Sequence, residues 1–468
     1  MSFALSKAVD PNKVFLTRKS EVTRRWDAPY FIPSIVALEK QVQKTTKFRL
    51  RDFVLRMAGG ATPATTESDT YYTESAEGVP FIRVQNLSTT GKLNLEDCKR
   101  ITRSTHETLL ERSQLGGGEL LVKITGVGRM AVASVVPDGF EGNINQHIAA
   151  LWTENAKTSE MLAAYLNLDF VERLASRRAT GGTRPALDYP ALLSMPVVFD
   201  ERIPKLVNAA VRRSDEQFSK ASSLLASVDE LLLAELGITP KPAPPNAVKN
   251  RIFHRAFSAV TGNRFDPVAN QPKRFAIESA VTSGKYPAQS LHTLVTVRKD
   301  IVDFIKAGER YVGLENIDGA TGDLIETNDK ESVSSALNFS PGQILFPKLR
   351  PYLNKTHRAT ITGLCSTEFY VFNVHGITAE FLAEFLRSQA TVAVTSLLMT
   401  GNTLPRLQLT DIEQLQIPIP PVPVQEKIAA EIKKIRTDAH ALRRQAAAEL
   451  TDAKTSIEAM ILGKESKL

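Results

Sequence analysis

Thr180-Gly181-Gly182-Thr183-Arg184-Pro185-Ala186-Leu187 returns 220 residues later as Thr400-Gly401-Asn402-Thr403-Leu404-Pro405-Arg406-Leu407. Similar echoes recur elsewhere in the chain in the same order. Gly118-Glu119-Leu120-Leu121 matches Gly342-Gln343-Ile344-Leu345 at a shift of 224 residues. Phe81-Ile82-Arg83-Val84-Gln85-Asn86 matches Tyr311-Val312-Gly313-Leu314-Glu315-Asn316 at 230, and Arg25-Trp26-Asp27-Ala28 matches Arg264-Phe265-Asp266-Pro267 at 239. Four ordered matches with slowly drifting shifts describe two homologous units whose loops differ in length. Solenoid repeats run only about 20–50 residues, so each unit is a whole domain.

Each unit closes on a long helical stripe. In the first, Ile203, Val207, Phe218, Leu225, Val228 and Leu232 mostly follow three- and four-residue steps, and Gly237 stands where a helix-ending glycine belongs. In the second, Ile428, Ile432, Ile435, Leu442, Leu450 and Ile457 belong to a stripe that advances about 3.56 residues per step, the coiled-coil range. Two such helices with a domain between them in the chain predict an antiparallel pair. Pro240, Pro242, Pro244 and Pro245 lie between the units and favour an extended, semi-rigid connection. The expected division is therefore a first domain over 1–199, a central long helix over 200–237, a Pro-rich linker over 238–250, a second domain over 251–421 and a C-terminal long helix over 422–468.

Short β-rich runs bounded by Gly, Pro and Asn predict strands over 79–84, 119–124, 130–136 and 148–152, and over 311–314, 343–346 and 369–374 in the second unit. Helical stretches are expected over 159–177 and 378–397. Strands and helices without regular βαβ alternation indicate an α+β class.

Composition narrows the function classes. The chain has 468 residues, 43% hydrophobic and 23% charged, enough to bury a core. Its +7 formal charge is compatible with a polyanion partner but is too small to identify one. Cys98 and Cys365 stand alone, which excludes a disulfide framework and fits a reducing cytoplasm. No apolar run approaches the roughly 20 residues that span a bilayer, so no membrane association is expected. A phosphate-binding P-loop needs a glycine five residues before Gly-Lys; Gly91-Lys92, Gly284-Lys285 and Gly463-Lys464 have Asn86, Ser279 and Glu458 there. Gly126-Val127-Gly128 reads as a turn between strands, and the seven histidines show no i, i+4 metal pair. The expectation is a non-enzyme with no catalytic group and no metal.

What remains are polar loops. Arg83, Gln85 and Asn86, then Lys123, Thr125 and Arg129, then Asn145 and Gln146, then Thr183 and Arg184 are the candidates in the first unit. Asn316, Lys348, Arg350, Tyr352, Lys355, Thr403 and Arg406 are those in the second. Arg, Lys, Asn, Gln and Thr read base edges and grip phosphates, although exposed loops carry them for other reasons too. Two similar domains on a helical pair suit a split target with two different half-sites.

The chain resembles the specificity subunit of type I restriction–modification systems. The resemblance rests on residues 79–87, on 118–126 with Asn143-Ile144-Asn145-Gln146, and on 344–354. It rests most specifically on Ile417-Pro418-Ile419-Pro420-Pro421-Val422-Pro423-Val424-Gln425-Glu426 opening the last helix. It implies two homologous target-recognition domains separated by two long antiparallel helices forming a coiled coil, with Gln425 among the residues of the helical spacer that docks partners. It further implies sequence-specific reading of a bipartite, asymmetric double-stranded DNA target. Two modification (methyltransferase) subunits and restriction (translocase and endonuclease) subunits would complete the complex, which methylates adenine and cleaves DNA with ATP. S-adenosylmethionine, ATP and Mg would lie on those partners and no cofactor on this chain. Two alternatives stay open: a recognition subunit of another phage-defence or modification system, and a two-domain interaction scaffold without a nucleic-acid role.

Overall fold

The computed structural model describes residues 9–22, 25–239, 252–260, 264–303, 310–325, 335–401 and 404–463. The chain packs as two units, Met1–Gln217 with Arg444–Leu468, and Phe218–Arg443. Of the expected linker over 238–250, only Ile238 and Thr239 are among the described residues.

The first unit holds strands β1 (Arg56–Gly59), β2 (Val79–Ile82), β3 (Lys99–Ile101), β4 (Leu120–Lys123), β5 (Ala133–Val135), β6 (Asn143–Ile144) and β7 (Ile148–Trp152). They form a four-stranded sheet in the order β1-β7-β4-β5, antiparallel throughout, and a smaller sheet β3-β2-β6 in which β2 and β6 run parallel. Strand β4 explains why its sequence reads as an unbroken apolar run. Successive side chains of a strand point to opposite faces, and here both faces are covered. Leu120 and Val122 join the core that the helices share, whereas Leu121 joins the core with Ile82 and Ile144 of the smaller sheet.

The second unit holds β8 (Ala288–Ser290), β9 (Val295–Arg298), β10 (Ile301–Asp303), β11 (Tyr311–Val312), β12 (Ser335–Phe339), β13 (Ile344–Pro347), β14 (His357–Arg358), β15 (Gly363–Cys365), β16 (Phe369–Val374) and β17 (Gln416–Pro418). Its main sheet runs β9-β16-β13-β14, the order of β1-β7-β4-β5, and its second sheet again contains one parallel pair, β11 with β15. Ile344 and Phe346 face the helices while Leu345 faces the second sheet, as in β4. The repeat read from short sequence matches is a repeat of topology.

Each expected helix over 159–177 and 378–397 is in fact two, a correction with a local cause. Numbering helices of nine residues or more, α1 is Pro33–Thr45, α2 is Ala156–Leu166 and α3 is Asp169–Arg178. Asn167, fully buried between α2 and α3, donates from Nδ2 to Ala133 O (2.7 Å) and accepts from Ala133 N (3.1 Å), which ties the chain to β5. Leu168 is then extended, so the helix restarts. In the second unit Ser388 is extended and its hydroxyl accepts from Thr391 N at 3.3 Å, capping a new helix. Such a serine satisfies a backbone donor that a helix start leaves bare. Periodicity alone could not show either break, because the apolar stripe runs through both.

The two long helices are the central helix α4 (Arg202–Glu235) and the terminal helix, Val422–Leu462. The start of α4 and the end of the terminal helix pack antiparallel in the first unit, with Arg213 against Glu449 at 2.8 Å and Ser214 Oγ donating to Ala446 O at 2.9 Å. The end of α4 meets the start of the terminal helix in the second, where Lys427 pairs with Glu235 at 2.9 Å. Ile203, Val207 and Ile457 are buried in the first core with Leu450 packed against it, and Leu232, Ile428 and Ile432 are buried in the second with Val228 packed against it. Leu225, Ile435 and Leu442 are half-buried. Gln425 is buried, accepting from Thr378 N (2.8 Å) and donating to Pro420 O (2.8 Å), so it is spent inside its own unit. Phe218 is 44% exposed and lies outside the buried seam, contrary to expectation.

In both units a carboxylate from a long helix caps the second helix of the broken pair. Glu458 accepts from Asp169 N and Phe170 N at the head of α3, and Asp229 accepts from Gln389 N at 2.9 Å. Lys454, one turn before Glu458, is nearly buried, and burial with repulsion from Arg129 lowers its pKa from 10.5 to about 8. Between pH 8 and 10.5 the folded chain therefore binds fewer protons here than the unfolded chain, and stability rises with pH. Melting temperature should climb across that window in the parent and stay flat in Lys454→Met, which should also be the more stable protein at neutral pH. An unchanged slope in the variant would refute the assignment.

Candidate nucleic-acid interface

The recurring Thr-Gly loops, which begin at Thr180 and Thr400, close one end of each main sheet. In the first unit Thr180 and Ala186 exchange both backbone bonds at 2.8 and 2.7 Å, and Gly181 turns the loop with φ +94°. The outgoing strand pairs with the end of β4: Leu187 N donates to Ile124 O (2.8 Å) and Gly126 N to Pro185 O (3.0 Å). In the second unit Thr400 and Arg406 exchange both bonds at 2.8 Å, Gly401 has φ +96°, Leu407 N donates to Lys348 O (2.9 Å) and Arg350 N to Pro405 O (3.2 Å). Gly126 and Arg350 are thus structural equivalents, as are Arg184 and Leu404.

The recurring Arg-x-Asp motif, to which the sequence assigned no role, holds this loop in place. Arg25 bonds Asp27 and donates to the carbonyls of Arg178 (2.7 Å) and Ala179 (3.1 Å), the residues that lead into loop 180–186. Arg264 bonds Asp266 at 2.7 Å and donates to the carbonyls of Leu398 and Met399, which lead into loop 400–406. Each guanidinium satisfies helix-end carbonyls that have no partner within the helix.

Several candidates make bonds within their own unit. Asn86 and Asn316 are each only 2% exposed. Their side-chain oxygens accept from Arg83 N (2.9 Å) and Gly313 N (2.6 Å), capping the same one-turn helix in each unit. Lys123 is buried and donates from Nζ to Val127 O (2.7 Å), and Lys348 is half-buried and donates to Thr367 O (2.7 Å) with its ammonium over the Tyr370 ring. Burial lowers the pKa of both lysines. Asn145 is buried, with its side chain accepting from His147 N at 3.2 Å. Arg129 pairs with Asp169 (2.6 Å) and donates to Asn167 O (2.7 Å). Arg406 forms a two-bond pair with Glu368 (3.0 and 2.6 Å), and Lys355 donates to Ile317 O. Thr125 is half-buried in its strand pairing with Ala186. Arg83 is half-buried and reaches Asp97 O at 3.4 Å. Thr403 lies outside the described residues.

The candidates left at the surface are Gln85, Gln146, Thr183, Arg184, Arg350 and Tyr352. Gln146 accepts from the exposed Thr62 hydroxyl, a residue the sequence reading passed over. Ile124 N donates to His147 O, which places Gln146, Thr62 and loops 125–128 and 180–186 at one sheet end. Val127, 78% exposed, joins them. Among the described residues neither Arg184 nor Arg350 has a side-chain hydrogen bond or ion pair. Arg350 has φ 48° and ψ 59° and, with Asn354 at φ 52°, brackets the one-turn helix Pro351–Leu353, whose Tyr352 is 47% exposed. Any side chain with a Cβ in left-handed backbone costs roughly 1–2 kcal/mol.

Residues 353–452 match the family described as Type I restriction modification DNA specificity domain. A stretch of 117 residues is 30% identical to the Type I restriction enzyme EcoDI specificity subunit of Escherichia coli, covering 25% of this chain and 26% of that protein. The chain thus aligns with about a quarter of that relative's length. Similar solved structures include one concerned with complex assembly and conformational transition of the type I R-M system (15% identity, 89% of this chain, 96% of that one, TM-score 0.42). Another is the type I restriction-modification S subunit from M. genitalium (12% identity, 90% and 95% covered, TM-score 0.36). Residues 353–452 thus match the type I restriction modification DNA specificity domain, and the relatives that the chain resembles include type I specificity subunits.

Proposed function

We propose that this chain is the sequence-reading, non-catalytic subunit of a type I restriction–modification complex in the cytoplasm. Each unit reads one part of a split, asymmetric duplex target. Two methyltransferase subunits and restriction subunits dock on it and carry the S-adenosylmethionine, ATP and Mg chemistry. The observation that supports this reading best is a contrast between constant framework and variable tip. Sheet order, parallel strand pair, Asn-capped turn and Thr-Gly loop recur in both units, yet the residues at the loop ends differ: Arg184 against Leu404, Gly126 against Arg350. One framework with two different tips is what reading two different half-sites requires, since base edges are discriminated by side chains.

The test assembles the full chain with its cognate modification subunits and selects from a randomised duplex library. Two fixed blocks separated by an unselected spacer are expected, with log affinity falling linearly against log salt. One uninterrupted block would remove the split-target reading. Retention of no duplex even at low salt would favour the interaction scaffold.

A further inference from the structure

The two tips differ in a way that assigns one arginine to each half of the target. Gly126 N donates to Pro185 O in the first unit and Arg350 N to Pro405 O in the second, so the same two chain segments are paired in both. In the first unit the exposed arginine, Arg184, belongs to the Thr-Gly loop, and the facing segment carries a glycine, Gly126 at φ +119°, opposite the adjacent Pro185. In the second the loop carries Leu404, 49% exposed, and the exposed arginine, Arg350, comes from the opposite segment. Each pairing therefore offers one exposed arginine, from opposite strands.

One feature marks both side chains and a second marks Arg350. The other arginine and lysine candidates at the sheet ends, Lys123, Arg129, Lys348 and Arg406, are tied to carbonyls or carboxylates. Arg184 and Arg350 are not, among the described residues. Arg350 moreover occupies a left-handed backbone position that glycine fills in the other unit, so the fold accepts strain to place a long cationic side chain there.

We propose that Arg184 and Arg350 are the base-reading arginines of the two half-sites, each contacting the O6 and N7 acceptors of a guanine in the major groove. A forked guanidinium is the group that fits this acceptor pair. The inference rests on the split-target reading above and deepens it.

Two exchanges test it while keeping each loop close to a sequence the fold already uses. Arg184→Leu gives the first unit the residue its repeat carries, and Arg350→Gly gives the second the glycine of Gly126. The full chain and its modification subunits are selected on the randomised duplex library, with circular dichroism and melting temperature confirming the fold. Arg184→Leu should lose a fixed guanine from one block only, Arg350→Gly from the other block only, and each should weaken binding to the parent motif by about tenfold or more. Arg350→Gly should melt no lower than the parent. A parent motif that survives unchanged in either variant overturns the proposal, as does uniform weakening on all duplexes with the motif intact, which marks a phosphate contact. If the parent protein itself selects no split motif, the underlying function fails and this assignment goes with it.

Discussion

Arg387→Met should destabilise the second unit by about 3 kcal/mol or more and loosen the turn that presents Arg350. The Arg387 guanidinium is buried, and burial next to Arg436 lowers its pKa from 12.5 to about 10. It donates to the carbonyls of Asn354, Thr356 and Gly319, each at 2.9 Å, while Asn354 Nδ2 returns a bond to Arg387 O at 2.9 Å. Methionine preserves most of the length and apolar contact but has no donor, so one buried and two part-buried carbonyls lose their partner. Each such loss costs about 1–3 kcal/mol. Urea denaturation measures the total, and amide exchange over 350–356 locates it. A variant with parental midpoint and parental protection in that turn would show that the guanidinium is dispensable.

The second large effect is expected at Glu39. This buried carboxylate on α1 pairs with both Arg177 and Arg178 at the end of α3. Burial pushes its pKa upward, but the two guanidinium groups outweigh burial and hold it below the ordinary 4.5. Glu39→Ala leaves two cations without a counter-ion in a place water barely reaches, at a cost of about 3–5 kcal/mol. The pH dependence has a definite sign. A depressed carboxylate pKa contributes stability in full above about pH 4.5, and that contribution drains away as pH falls below it. The parent should lose stability below pH 4.5 more steeply than Glu39→Gln, whose amide does not titrate. Parallel acid limbs would refute the role of the pair. Because the Arg178 carbonyl also receives Arg25, the alanine variant should loosen the approach to loop 180–186 as well.

These predictions fall on residues of unequal legibility. The long helices, β7, β16 and the two Thr-Gly loops could be read from the chain because each carries a local pattern: heptad spacing, an apolar strand run, a glycine where φ is positive. Arg25 and Arg264 were visible as a repeat but not as clamps, since the carbonyls they grip lie more than a hundred residues away. The breaks at Asn167 and Ser388 were hidden because the apolar period continues across them.

The order of residues along the chain is enough to define one α+β unit built twice and joined to two long helices. That information is local, and it survives as order and spacing along the chain. Which polar side chains are free follows from the contacts made on folding. Asn86, Asn316, Lys123, Arg129 and Arg406 have the right chemistry for a base or a phosphate, yet each is engaged by a turn, a helix end or a carboxylate of its own unit. Residue type sets how many hydrogen bonds a side chain can make. Which of them remain for a ligand depends on contacts between segments far apart in sequence, and only folding brings those segments together.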